Sequence, residues 1–430
     1  MLFHPHGKSY IFAPLLIILL SACTSNPALM PTPNLYVSTP YSEAQVPKNL
    51  HNTSMELLYV TDRAISEKEG VMYNASRSPS IAYGVAKVNF GDRSLQWGEL
   101  LKQSSLKNRS ANLTYVMEKA DELGRFPLSP YKFRRVKNKL QIDEDILERK
   151  IFHETQLNKN INQRLKNSNN KDVILFVHGF NNTFNESVFT LAGIWHFLNR
   201  QGVPIVYSWP AAATGLTGYF EDKESGQFTI FHLKETLRLL FKNPEIENIH
   251  IIAHSRGTDV VTTTLRELII ENRASGGNPR EDLRIENLIL AAPDLDFGII
   301  KQRLMAEQFG PAFGQITIYT SQEDSALGIS QWLTNSLSFG RLNTKDVNIN
   351  EQDIFTSVGN VSLIKVPKSG SLIGHDYFHS DPAVSSDLIN LILHKASPGS
   401  RKRPLQKLEN NFWSLDSNYL IKTDAANLQN

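Results

Sequence analysis

Ser255 stands in Ala253-His254-Ser255-Arg256-Gly257, directly after the apolar, β-branched run Ile249-His250-Ile251-Ile252. A serine hydroxyl is a poor nucleophile at neutral pH. It attacks a carbonyl carbon only when an imidazole takes its proton and a carboxylate orients that imidazole. Downstream the chain supplies Asp294, Asp296 and Asp324 and then His375, each just after a segment that reads as a strand. Ala253 and Gly257 keep the flanks of the serine small, as a sharp and strained strand-to-helix turn requires. A helix starting there aims unpaired backbone N–H groups at the same spot, so the amide of Arg256 is an oxyanion donor. The histidines have no cysteine partners and no His-Glu-X-X-His spacing, and no glycine-rich phosphate loop is present, so neither a metal nor another cofactor is expected.

Groups so far apart in the chain meet only if a regular scaffold carries them. Asp172 to Val177 is continuously apolar and stops at His178-Gly179, the pattern of a parallel strand covered on both faces. A helix is expected from Asn185 to Arg200, a strand from Pro204 to Trp209, a helix from about Gln227 to Phe241, and then the strand leading to Ser255. Further strands are expected at Ile285–Ala292, Gln315–Thr320 and Val361–Val366. Strands alternating with helices predict an α/β fold, a mainly parallel, doubly wound sheet with helices on both faces and the reactive groups at the carboxyl ends of its strands. The stretch Pro210–Gly226, with Tyr219 and Phe220, reads as a loop walling the pocket; Ser325–Phe339, with Trp332, and Arg341 read as the opposite wall.

Upstream, Met55–Thr61 and Ile81–Phe90 read as strands. Residues 91–170 form a charged extension with a strand at Tyr131–Val136 and a polar helix from about Asp143 to Leu165, and no chemistry is assigned to them.

Val177-His178-Gly179-Phe180-Asn181-Asn182, Tyr207-Ser208-Trp209-Pro210, the block around Ser255, Leu290-Ala291-Ala292-Pro293-Asp294-Leu295-Asp296, Tyr319 to Leu327, and Gly374-His375-Asp376-Tyr377-Phe378 occur in this order. Together they resemble the bacterial α/β-hydrolase family of domain of unknown function 900, an esterase/lipase-like group, over roughly Met55 to Leu393. The resemblance implies an α/β-hydrolase fold with Ser255 as nucleophile, His375 rather than His379 as base, and the amide of Phe180, ahead of Asn181, as second oxyanion donor. It favours Asp324 as the acid, after the penultimate strand, with Asp294 as the alternative. Asp296 reads as a helix cap, and His178, His254 and His250 as structural. Arg256 departs from the family's usual methionine; a cation there points to acidic acyl or leaving groups.

The composition limits the partners. With 45 basic and 43 acidic residues and a formal charge of +2, nothing favours a polyanion, and nucleic acid is not expected. A hydrophobic share of 41% over 430 residues supports a large core. The start of the chain, with Lys8, the apolar run Ile11–Leu20 and then Leu20-Ser21-Ala22-Cys23, has the architecture of a signal peptide over 1–22. Leu-Ser-Ala-Cys resembles the lipobox of bacterial lipoproteins, which implies acylation of Cys23, a membrane partner through that lipid, and a place in the cell envelope. Thr24, where an Asp retains lipoproteins at the inner membrane, leans towards the outer membrane facing the periplasm. Cys23 is the only cysteine, so no disulfide can form within the chain. Residues 23–54, rich in proline, are expected as a lipidated tether, 55–395 as the catalytic domain, and 396–430 as a polar tail in which Phe412-Trp413 docks and Arg401-Lys402-Arg403 is solvated. The expected activity is hydrolysis of a small-molecule or lipid acyl ester through an acyl-enzyme. The other reading is an idle hydrolase fold serving as an envelope scaffold.

Overall fold

The side chains of Asp172–Val177 alternate between two apolar layers, with Ile174 and Phe176 on one face of a sheet and Val173, Leu175 and Val177 on the other. The computed structural model describes residues 27–211, 215–334, 337–366 and 374–421. Its strands are β1 (Met55–Ile65), β2 (Tyr73–Phe90), β3 (Tyr115–Arg125), β4 (Phe133–Val136), β5 (Lys139–Ile142), β6 (Asp172–Val177), β7 (Val203–Ser208), β8 (Asn248–His254), β9 (Ile285–Ala291), β10 (Gln315–Thr320), β11 (Val361–Lys365), β12 (Gln406–Lys407) and β13 (Phe412–Ser414). β4 and β5 form a separate hairpin, and the others form an 11-stranded sheet in the order β12-β13-β11-β10-β9-β8-β6-β7-β1-β2-β3. From β13 to β1 every neighbouring pair runs parallel; β1, β2 and β3 pair antiparallel, as do β12 and β13.

One face carries the helices Phe184–Phe197 and Pro382–His394; the other carries Glu144–Lys166, Gly215–Lys242 and Gly257–Ala274. Thr183 and Glu186 close a capping box on the first of these, which satisfies N–H groups its first turn leaves unpaired. The helix Glu144–Lys166 is polar overall, yet Leu157, Ile161 and Leu165 recur at four-residue steps and are buried. Among the described residues no helix is long and apolar enough to cross a membrane.

Three expectations are corrected. The proline-rich segment is not a free tether from residue 27 onward. Tyr36 and Tyr41 are 3% and 5% exposed, and their hydroxyls donate to the carbonyls of Phe197 and His196, each at 2.6 Å. Leu29, Met30 and Val46 are buried with them, and the Leu29 amide donates to the Leu113 carbonyl at 2.8 Å. The segment is not extended throughout: Pro33 precedes a short helix, Asn34–Ser38, that carries Tyr36, and Pro47 precedes a helical turn, Lys48–Leu50, so the prolines here sit at the starts of turns whose apolar side chains anchor the segment to the domain. Residues 1–26, with the signal-like run, Cys23 and Thr24, lie outside the described residues.

The C-terminal segment is also part of the fold. β13 extends the sheet beside β11, and Phe412 is buried. Arg401 and Lys402 are exposed, but Arg403 is fully buried: its Nε and Nη2 each lie 2.9 Å from the carboxylate of Asp387. The hydroxyls of Tyr319 and Tyr419 donate to the same carboxylate at 2.7 and 2.8 Å, which spreads its charge over several donors.

Finally, the expected loop Pro210–Gly226 is largely helical, because the helix that follows β7 starts at Gly215 rather than near Gln227. This sets Tyr219 and Lys223 on a helix rather than a loop. Phe220, offered as an acyl contact, is 56% exposed.

Candidate active site

The turn after β8 forces Ser255 into the left-handed region, with φ at +52°. A non-glycine residue reaches that region only where its surroundings hold it there. The Ser255 amide donates to the Ala291 carbonyl at 2.9 Å, and the helix Gly257–Ala274 begins two residues later. Close approach explains the two glycines nearby. A Cβ on Gly257 would lie 2.3 Å from the His178 carbonyl oxygen, and one on Gly179 would lie 2.7 Å from the Ser255 Cβ. The end of β6 and the serine turn are thus pressed together.

His375 Nε2 lies 2.7 Å from Ser255 Oγ, and His375 Nδ1 lies 2.7 Å from Asp324 Oδ2. Asp324 is fully buried; its other oxygen accepts from the Leu327 amide at 3.0 Å, which fixes the carboxylate at the start of the helix Ser325–Thr334. With Nδ1–H facing Asp324, Nε2 is left as an acceptor for the serine proton. The loop bearing His375 is held by its neighbours. His254 Nε2 lies 3.1 Å from the His375 carbonyl oxygen, and the His254 ring stacks on Phe378 with centroids 4.7 Å apart. Burial, and then the proximity of His375, push the His254 imidazole well below the usual histidine range, so it stays neutral and its Nε2–H donates.

Asp294 does not meet His375. Its carboxylate accepts from Ser330 Oγ at 2.7 Å and Tyr219 Oη at 2.9 Å, and its Oδ2 lies 3.7 Å from Arg256 Nη1. Burial and that carboxylate together push the Tyr219 hydroxyl up to about 12, so it remains a donor. Asp296 caps a short helix by accepting from the Ile299 amide at 2.7 Å. His379 packs edge-on against Phe378, and His250 sits in β8 between Asp172 and Asn287.

The amide of Asn181 donates to Asp222 Oδ2 at 3.0 Å, whereas the amides of Phe180 and Arg256 donate to no acceptor among the described residues. The Arg256 side chain does not project a free cation towards the serine. It lies 3.7 Å from both Asp259 and Asp294 and packs over the Tyr219 ring at 5.5 Å, so its charge is already matched and the expected acidic preference does not come from it. Arg341 is not among the residues lining the cavity beside Arg256, and its Nη2 donates to the Gln322 carbonyl at 2.7 Å. The Trp332 side chain lies outside the described residues.

One residue beneath the site was not singled out from the sequence. Arg63, at the end of β1, is buried and holds the carbonyls of Asn182 and Ala211, each at 2.6 Å, and Ser208 Oγ at 2.9 Å. Its Nη2 also lies 3.3 Å from His178 Nε2, and His178 stacks on Trp209 with centroids 5.3 Å apart. Burial lowers the Arg63 guanidinium to about 10, still charged at neutral pH. The available signal was Asp62-Arg63 closing an otherwise apolar strand. A second Ser-His-Asp chain is also present: Ser129 Oγ lies 2.8 Å from His232 Nε2, and His232 Nδ1 lies 2.9 Å from Asp62 Oδ2. Ser129, however, lies in the loop after β3, which is followed in the chain by β4 rather than by a helix, and its hydroxyl also reaches the Pro79 carbonyl at 3.1 Å. Among the described residues no three His, Cys, Asp or Glu side chains group to hold a metal ion.

A mostly parallel sheet flanked by helices, with its serine turn and histidine loop at the carboxyl ends of strands, defines the α/β-hydrolase class. The chain belongs to the family described as alpha/beta hydrolase of unknown function (DUF900), whose model matches residues 153–393, more than half of its length. Among solved structures it is similar to one described as a candidate cell surface hydrolase from Lactobacillus plantarum WCFS1, at 14% identity and a TM-score of 0.31, over 51% of this chain and 89% of that one. No curated protein matches it.

Proposed function

We propose that this protein is a serine hydrolase that cleaves a carboxylic ester or a related acyl bond through an acyl-enzyme. The observation that carries the reading is the pair of 2.7 Å contacts joining Ser255, His375 and Asp324 at a left-handed serine. In the first step Ser255 Oγ attacks the carbonyl carbon while His375 Nε2 takes its proton, and Asp324 stabilises the imidazolium that forms. The negative charge on the carbonyl oxygen is met by the amides of Arg256 and Phe180. His375 then protonates the leaving alcohol, and water, activated by the same imidazole, releases the acid. The sequence around Cys23 adds that the enzyme is lipid-anchored in a bacterial envelope, at the outer membrane facing the periplasm.

The test is labelling of the full chain by a fluorophosphonate probe. The wild type is expected to label and Ser255→Ala is expected not to, with an unchanged circular dichroism spectrum. A wild type that neither labels nor hydrolyses p-nitrophenyl esters sinks the reading and leaves a tethered binding fold.

A further inference from the structure

A cavity of about 430 Å3 opens beside the serine turn, lined by Arg256, Asp294 and Tyr219 together with Lys223, Gln227 and Arg303 among others. Arg256, the residue after the serine, lines it, and the Tyr219 ring in its wall packs edge-on against the Phe180 ring at 5.8 Å. Tyr219, Lys223 and Gln227 follow one another at four-residue steps and so form one stripe of the helix Gly215–Lys242. Across from them, Ile299 precedes and Arg303 belongs to a π-helical turn, Ile300–Met305, a wide turn that recurs at functional sites.

The lining is charged, and its charges are unevenly used. Asp294 is held by Ser330, Tyr219 and Arg256, Asp259 lies against Arg256, and Asp296 caps Ile299. Each carboxylate therefore has its donors from the protein itself. Lys223 and Arg303 meet no carboxylate among the described residues, although both line the cavity. A long neutral alkyl chain entering this space would displace part of the water around the exposed Lys223 ammonium and the half-buried Arg303 guanidinium and offer them no partner in return. An anionic group entering the same space exchanges water for charge-assisted hydrogen bonds.

Resting on the serine hydrolase reading, we infer that Lys223 and Arg303 select esters that carry a second, anionic group in the part of the substrate lodged in this cavity, rather than neutral long-chain lipids.

The experiment compares mono-p-nitrophenyl esters of adipic and suberic acid with the neutral p-nitrophenyl esters of hexanoic and octanoic acid, using the full chain and subtracting Ser255→Ala as background. The wild type is expected to favour the anionic member of each pair in kcat/KM by about tenfold at low salt, and to lose most of that preference at about 0.5 M salt. The combined variant Lys223→Ala, Arg303→Gln is expected to bring the ratio to near one. A wild type that favours the neutral ester, or a ratio the variant leaves unmoved, overturns the inference. If no ester is turned over, the hydrolase reading fails and the anion site is read separately by calorimetric titration of adipate into Ser255→Ala protein. Binding that weakens about fivefold or more with the two cation substitutions added supports the site, and absence of binding overturns it.

Discussion

Asp324 and His375 are 51 residues apart in the chain, and their side chains meet at 2.7 Å. Asp294 follows the strand next to the serine's own, yet its carboxylate turns to Tyr219 and Ser330 instead. Asp324→Asn is therefore expected to lower kcat on a short p-nitrophenyl ester about a thousandfold or more, because an amide stabilises neither the tautomer nor the imidazolium. Asp294→Asn is expected to stay within about tenfold in kcat and to shift KM, since it touches only the pocket wall. Steady-state kinetics of the two variants decide it, and the opposite ranking would move the acid role to Asp294.

Arg63 makes a forked set of bonds to Asn182, Ala211 and Ser208 beneath the loop that carries the Phe180 amide. A lysine keeps the charge but not the fork. Arg63→Lys is expected to lose about 2–4 kcal/mol in urea unfolding and to slow fluorophosphonate labelling about tenfold or more, as the oxyanion donor drifts. A labelling rate equal to wild type in a folded variant would show that the loop holds its shape without Arg63.

Ser129 copies the hydrogen bonding of Ser255 towards a buried His and Asp, but the turn it sits in is not followed in the chain by a helix, as the Ser255 turn is. A base without preorganised oxyanion donors gives little catalysis. Ser129→Ala is expected to label at the wild-type rate and to lose about 1 kcal/mol of stability. Peptide mapping that found the probe on Ser129 would contradict this.

His178 and His196 are both fully buried. Burial, with Arg63 near the first and Arg200 near the second, holds each imidazole well below the usual histidine range. The unfolded forms titrate near about 6.5, so below that pH the unfolded chain binds protons that the native protein refuses. Stability from these groups is fully present above about pH 6.5 and falls as pH drops towards the folded values, by about 1.4 kcal/mol per pH unit for each residue. Urea midpoints at pH 7.5 and 5.5 test the sign, and His196→Gln should flatten the slope. A midpoint that rises towards acid pH would overturn the account.

Much of the scaffold is legible in the residues themselves. Continuous apolar runs such as Asp172–Val177 and the four-residue spacing of Leu157, Ile161 and Leu165 are local patterns, and they coincide with β6 and the helix Glu144–Lys166. The small residues around Ser255 announce a sharp turn because steric crowding there acts between near neighbours in the chain. The reading fails where a pattern has two possible partners. Prolines between Pro27 and Pro47 do not say whether the segment hangs free and extended or folds into short turns that dock through Tyr36 and Tyr41. Three basic residues in a row do not say that the third is buried against Asp387.

By itself, the sequence determined an alternating α/β chain with a serine at a strained bend and a late histidine able to reach it, because periodicity and steric limits operate within a few residues. Only the tertiary structure decided which carboxylate faces that histidine, which amide beside the serine is spoken for by Asp222, and that Arg63 braces the loop from below. Those outcomes depend on strand order and on where loops from distant parts of the chain are brought to lie, and no local pattern of residues encodes the direction in which a side chain meets a partner on another element.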